Sequence, residues 1–188
     1  MAIPLRALAA GLAATILVFG CVPAQADQKD TRLPGLFDSL KKASSSDEAD
    51  AIEAKIWTIW LHADDPAIDK LMQQGSDAMS SQDYPSAMQS FNAIIAQKPD
   101  FAEGWNKRAT LYYLMGDYEK ALADIDRTLK LEPRHFGALS GLGLTNMKLG
   151  RDDAAVDAFK RVLEIDPLYP NAKVNLQLAK DALKRISI

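Results

Sequence analysis

The chain repeats itself every thirty-four residues. Pro99, Pro133 and Pro167 fall in one register, as do Ala87, Ala121 and Ala155, and likewise Phe91, Ile125 and Phe159. Gly116 and Gly150 share a further slot, which Gln82 holds one period earlier. Self-similarity at this period marks a supersecondary unit that cannot bury its own apolar face, so the fold must be a stack in which each tile covers the next. Within a tile, apolar residues recur at helical spacing. A left-handed position at Gly116 or Gly150 ends the first helix. The proline stops the second, because it lacks a backbone N–H and clashes with the preceding turn.

In the second tile the shared positions read Trp105-x2-Arg108-Ala109-x2-Tyr112, then Ala121-x3-Ile125, then Pro133. The first reads Leu71-x2-Gln74-Gly75-x2-Ala78, Ala87-x3-Phe91, Pro99; the third reads Leu139-x2-Leu142-Gly143-x2-Asn146, Ala155-x3-Phe159, Pro167. This pattern resembles the tetratricopeptide repeat family, whose signature is W-x2-L-G-x2-Y…A-x3-F…P. Arg108, Gln74 and Asn146 depart from that consensus while the spacing holds. The resemblance implies an all-α fold, a right-handed superhelical solenoid of helix–turn–helix repeats with a C-terminal capping helix. The tiles span residues 68–101, 102–135 and 136–169.

The small residues Gly75, Ala109 and Gly143 are expected to face Ala87, Ala121 and Ala155, letting paired helices approach closely. Trp105, Phe91 and Phe159 are expected to fill the space between tiles, and Asp117 to cap a second helix. One period earlier, Phe37 and Trp57 share register with Leu71 and Phe91, so residues 34–67 read as a degenerate fourth tile. Ser44-Ser45-Ser46 would be its turn and Asp47 its helix cap. Residues 170–188 read as the capping helix: Ala172, Leu176, Ala179, Leu183 and Ile186 make an apolar stripe opposite Lys173, Gln177, Lys180 and Lys184. Residues 27–33 read as a flexible tether.

Residues 1–26 read as a secretory signal peptide. Arg6 is the one charge before Asp27, Ala7 to Val22 is an uncharged apolar run, and Ala24-Gln25-Ala26 suits signal peptidase. The run is short for a spanning helix of ~20 residues. Val18-Phe19-Gly20-Cys21 also resembles a bacterial lipoprotein box, in which Cys21 would be acylated, although Phe19 departs from the small residue usual there. Export to the periplasm as a soluble protein and anchorage through Cys21 are therefore both carried forward. Cleavage after Ala26 removes Arg6 and no acid, taking the net charge from −3 to −4, and leaves no cysteine for disulfide or thiol chemistry.

With that charge and no basic stripe interleaved with aromatics, nucleic acid is not expected as a partner. Convergent catalytic groups are missing from the sequence. His62 and His135 lack ligands at metal-binding spacing. Asp64-Asp65 and Asp152-Asp153 fall at turns and helix starts where Asp caps. Gly137-x3-Gly141-x-Gly143 lies inside a first helix and is no phosphate loop, and Ser140 has no neighbouring base. No catalytic residue, cofactor or metal is assigned, and a non-enzyme is expected. Trp57 and Trp60, three apart, read as core packing.

By the resemblance, first helices line a concave groove that holds a peptide or helix of a protein partner. Here that groove would present Met72, Ser76 and Met79; Asn106, Thr110 and Tyr113; and Ser140, Leu144 and Met147, each set on one helical face. The methionines, Tyr113 and Leu144 offer an adaptable apolar floor and the polar groups a means of fixing a backbone. Some members of the family clamp acidic chaperone tails with Lys, Asn and Arg. Met72 and Ser76, with Gly137 and Gly141, occupy those slots here, so Asn106 and Lys107 alone make no clamp. The runs IEAKIWTIWL, FAEGWNKRATLYYLMG and LEPRHFGALSGLGL resemble small exported tetratricopeptide proteins of alphaproteobacteria, which implies an envelope location. Two roles remain open: an adaptor with a partner in the groove, and a lipoprotein or self-associating scaffold working through its convex face. Membrane contact is expected only if Cys21 is lipidated.

Overall fold

The computed structural model describes residues 28–186; the expected leader, residues 1–26 with Cys21, lies outside them. Among the described residues there are nine helices and no strand: α1 (Leu33–Leu40), α2 (Ser46–Leu61), α3 (Pro66–Ser80), α4 (Tyr84–Gln97), α5 (Ala102–Met115), α6 (Tyr118–Leu131), α7 (Phe136–Lys148), α8 (Asp152–Ile165) and α9 (Ala172–Ile186). The pairs α3–α4, α5–α6 and α7–α8 form an all-α repeat solenoid. First helices touch one another, α3 with α5 and α5 with α7, and each second helix packs against the next first helix. The first helices therefore make the inner wall.

Local chemistry sets the helix ends. Asp65 caps α3 by accepting from the Ala67 N–H at 2.8 Å, and Asp83 caps α4 through the Ser86 N–H at 3.3 Å. Asp117 does not cap α6; its carboxylate pairs with Lys120 at 2.8 Å instead. Ser45, rather than Asp47, caps α2, and Glu48 reaches back to the Ser44 N–H at 2.9 Å. After the first helices the chain turns left-handed, at φ 81° for Gly116 and 69° for Gly150, and at a strained 63° for Gln82 in the equivalent slot.

Tile packing differs from expectation in one respect. A Cβ added at Gly75 would lie 2.5 Å from Phe91, and one at Gly143 would lie 2.5 Å from Phe159. These glycines thus make room for an aromatic ring four residues beyond the small Ala slot of the second helix. The second tile pairs Ala109 with the smaller Ile125 in the same two slots. Trp105 lies at the junction of the first two tiles without being fully buried there. It is half-buried, its indole N–H donates to the Pro99 carbonyl at 2.9 Å, and Arg108 and Arg127 lie 5.0 and 5.3 Å from its ring centroid. Arg108, in a consensus leucine slot, binds Asp124 through Nε and Nη2 at 2.7 and 2.8 Å and Asn92 of α4 at 2.7 Å, tying two tiles together.

The N-terminal region departs most. Residues 28–32 are not a flexible tether: the Gln28 amide donates to the Asp100 carbonyl at 2.5 Å and accepts from the Ala102 N–H at 3.3 Å, and Asp30 pairs with Arg32. Residues 34–67 do contain two helices, but they do not stack in front of α3 as a fourth tile. Leu33, Leu40, Ile52, Ile56 and Trp60 share a core with Phe136, Leu139, Val162 and Ala172, from α7, α8 and α9. The core of α3 and α4, built on Ile68, Met72, Phe91 and Ile94, is separate. The reason lies in two slots. One period before Gly75 and Ala87 stand Lys41 and Glu53, so the small residues that close a tile are missing and α1, with eight residues, is too short to span one. The α1–α2 hairpin folds back onto the array instead.

Helix α9 covers α8 with Ala172 and Ala179 buried, while Val174 and Leu178 on its other face are 59% and 50% exposed. Among the described residues no helix is long and apolar enough to cross a membrane.

Candidate functional site

Between α5 and α7 the inner wall opens into a cleft of about 300 Å³. Asn106, Thr110, Tyr113 and Leu114 line it from α5, and Gly137, Ser140, Gly141 and Leu144 from α7, with Ala109 and Ile125 at the floor. Five of the nine expected groove residues, Asn106, Thr110, Tyr113, Ser140 and Leu144, therefore meet in one place. The floor is apolar because Ala109 and Gly141 bring no bulk and Ile125 closes it from α6. The Thr110 hydroxyl donates to the Asn106 carbonyl at 3.0 Å, which leaves its oxygen able only to accept from a ligand.

The other four part company. Met72 is buried in the α3–α4 core at 4% exposure, and Met79 packs against that same core. Met72 and Ser76 also border a separate depression of about 570 Å³ with Thr58, Leu61, His62 and Lys107. Met147 packs against the cluster of Ala155, Val156, Phe159 and Ala179 from α8 and α9, which Leu144 also borders, and does not line the cleft. The methionines are thus chiefly core, and the apolar character of the cleft comes from Leu114, Leu144 and Ile125. Leu114 follows Tyr113 directly and was invisible to a strict i, i+4, i+7 pattern; its 49% exposure marks it out only in the folded chain.

One end of the cleft is closed by the chain itself. A Cβ on Gly137 would lie 2.7 Å from the Trp57 ring, so α2 sits directly on α7 there. Trp60 stacks on His135 with centroids 4.1 Å apart and planes 11° from parallel, and Trp57 meets Phe136 edge-on at 5.4 Å. His135 Nδ1 accepts from the Ala138 N–H at 3.1 Å, so Nε2 carries the proton and donates to Glu103 at 2.9 Å. The same Glu103 oxygen accepts from Asn106 at 3.0 Å, linking the seat of the hairpin to the wall of the cleft.

Beside that seat, Glu53 of α2 meets Asp166 after α8. Burial, then the hydrogen bond and charge of Asp166, push the Glu53 carboxyl up to about 8. Burial and the nearby Glu53 likewise raise the Tyr169 phenol, which the hydrogen bond to Ser140 opposes. Sequence reasoning missed Glu53, although its place in the small Ala slot was the signal. The other histidine, His62, contacts Asp69 at 2.9 Å, and no group of three His, Cys, Asp or Glu side chains gathers as a metal site among the described residues.

The family model for the tetratricopeptide repeat matches residues 72–123 and 106–170. The chain is 38% identical over 152 residues to a TPR repeat-containing protein of Rhizobium etli, covering 81% of this chain and 74% of that one. It is 29% identical over 119 residues to the small glutamine-rich tetratricopeptide repeat-containing protein 2 of Mycosarcoma maydis, covering 63% of this chain but only 34% of the relative. Among solved structures, the first TPR of Spaghetti (RPAP3) bound to an HSP90 peptide superposes with a TM-score of 0.61 at 21% identity, over 62% of this chain and 93% of that one. The Sgt2 TPR domain of Aspergillus fumigatus gives 0.61 at 24% identity, over 65% and 83%.

Proposed function

The chain belongs to the tetratricopeptide repeat family, and from that premise we propose that it is an exported, non-catalytic adaptor holding a segment of a protein partner in the cleft between α5 and α7. The observation that carries this reading is the convergence of Asn106, Thr110, Tyr113, Ser140 and Leu144 on one open, largely apolar cleft. Apolar floor with a few polar groups at the wall is the composition of a binding site rather than of a closed core. A domain of the same fold is known with a peptide bound. Its peptide, SRMEEVD, is acidic, whereas Lys107 here is drawn toward Glu103 at 3.6 Å and no cation lines the cleft. The segment held here is therefore apolar.

The non-catalytic reading is supported by the structural employment of both histidines, one in the Trp60–Glu103 seat and one on Asp69. Export to the periplasm rests on the leader-like residues 1–26. The test is photo-crosslinking in the native cell, with the probe at Tyr113 in the cleft and a control at Arg127, exposed on α6. A discrete protein adduct from Tyr113 alone is the expected result. Adducts from Arg127 alone, or from neither, would overturn the cleft reading; from Arg127 alone, they would move the function to the convex face.

A further inference from the structure

The hairpin is seated over two buried acids, one its own and one from the array. Glu53 on α2 is 9% exposed and Asp166 is fully buried. Asp166 Oδ1 accepts from the Leu168 N–H at 2.9 Å. With both groups ionised, Glu53 Oε1 and Asp166 Oδ2 have no donor, yet the two side chains are within hydrogen-bonding reach of each other. Of the remaining neighbours, Asp50 on the same helix adds negative charge, and the Tyr169 phenol, from the α8–α9 connection, is a partner of neither orphaned oxygen. No cation is among the groups acting on Glu53. Two adjacent buried carboxylates repel and lack solvation, whereas one proton between them makes a strong O–H···O⁻ bond and satisfies both orphaned oxygens.

We propose that this shared proton is a latch: the α1–α2 hairpin docks on α7, α8 and α9 with one proton held between Glu53 and Asp166, and docking loosens when that proton is lost. Everything needed is at the interface. Glu53 belongs to the hairpin and Asp166 to the array, so the bond forms only in the docked state. Lifting α2 takes Trp57 off Gly137 and extends the cleft toward the start of α7. Groove access is thereby coupled to pH, whatever the partner is, and the latch stands independently of the function proposed above.

The sign follows from the burial of Glu53. Undocked, its carboxyl returns toward the ordinary value of 4.5, while docked it is held near 8. Between those limits the docked form carries the extra proton, so docking weakens as pH rises, by up to about tenfold per unit, and is flat below and above the window.

Hydrogen exchange of the full chain reads this directly. Protection factors for α2 amides, corrected for intrinsic exchange, are to be compared between pH 6.5 and pH 8.5, with α6 amides as the internal standard. The expected result is a fall of at least tenfold in α2 relative to α6. In Glu53→Gln the amide donates to Asp166 without titrating, and the α2-to-α6 ratio should stay constant. A constant ratio in the unaltered chain, or an equal fall in Glu53→Gln, would overturn the latch. If Glu53→Gln loses α6 protection and so fails to fold, Asp166→Asn is read in the same way.

Discussion

Replacing Gly143 by alanine is expected to destabilise the array, although alanine is the better helix former. The added Cβ would lie 2.5, 2.6 and 2.8 Å from three atoms of the Phe159 ring, and that ring is fully buried and cannot swing away. Overpacking of this kind costs about 1–3 kcal/mol. Removing a mid-helix glycine returns at most about 1 kcal/mol. The net loss is therefore about 0–2 kcal/mol, read as a lower midpoint in urea denaturation with the slope unchanged. Gly141→Ala, on the same helix, is the control. Its nearest neighbour would be Ile125 Cδ1 at 3.7 Å, ordinary contact, so it should gain about 0.5–1 kcal/mol. Combining Gly143→Ala with Phe159→Ile recreates the Ala109–Ile125 pairing of the second tile and should lose at least about 1 kcal/mol less than the sum of the single losses. If Gly143→Ala matched Gly141→Ala in stability, or the double variant were additive, the pairing of the two slots would be refuted.

Three other outcomes are expected. Gln82→Gly removes side-chain strain at φ 63° and should stabilise by about 1 kcal/mol in the same denaturation assay. Arg108→Leu restores the family consensus yet strands Asp124, which is 4% exposed; the loss should approach about 3 kcal/mol, and adding Asp124→Leu should recover most of it. Gln28→Ala breaks both bonds to the start of α5, so it should cost about 1 kcal/mol and raise hydrogen exchange in residues 28–32 while leaving α6 unchanged.

The three tiles were legible because a period leaves every structural position recorded several times over. Pro99, Pro133 and Pro167 mark helix stops, and Gly116 and Gly150 mark left-handed turns, by rules that need no tertiary knowledge. The sequence also held Gly75 with Phe91 and Gly143 with Phe159, but the reason for the match is steric and appears only when the rings are placed. Register alone does not place the hairpin. Phe37 and Trp57 fit the repeat, while Lys41 and Glu53 in the two small slots argue against it, and the seat on Phe136 and His135 is a contact across about eighty residues that no local pattern encodes. Half of the groove was legible for a related reason. Helical spacing puts Met72 and Asn106 in equivalent slots, but only packing shows that one is core and the other faces the cleft.

The position of the α1–α2 hairpin fixes where the cleft ends and what the acid pair can control, and nuclear Overhauser contacts from the Trp57 indole test it most directly. Strong contacts to the Gly137 α-protons and the Phe136 ring are expected, because a Cβ on Gly137 would lie 2.7 Å from the Trp57 ring and the Trp57 and Phe136 centroids are 5.4 Å apart. Contacts from Trp57 to Leu71 and Phe91 instead would place α2 ahead of α3 as a fourth tile, contradict the seated hairpin, and leave the inner wall open along its whole length.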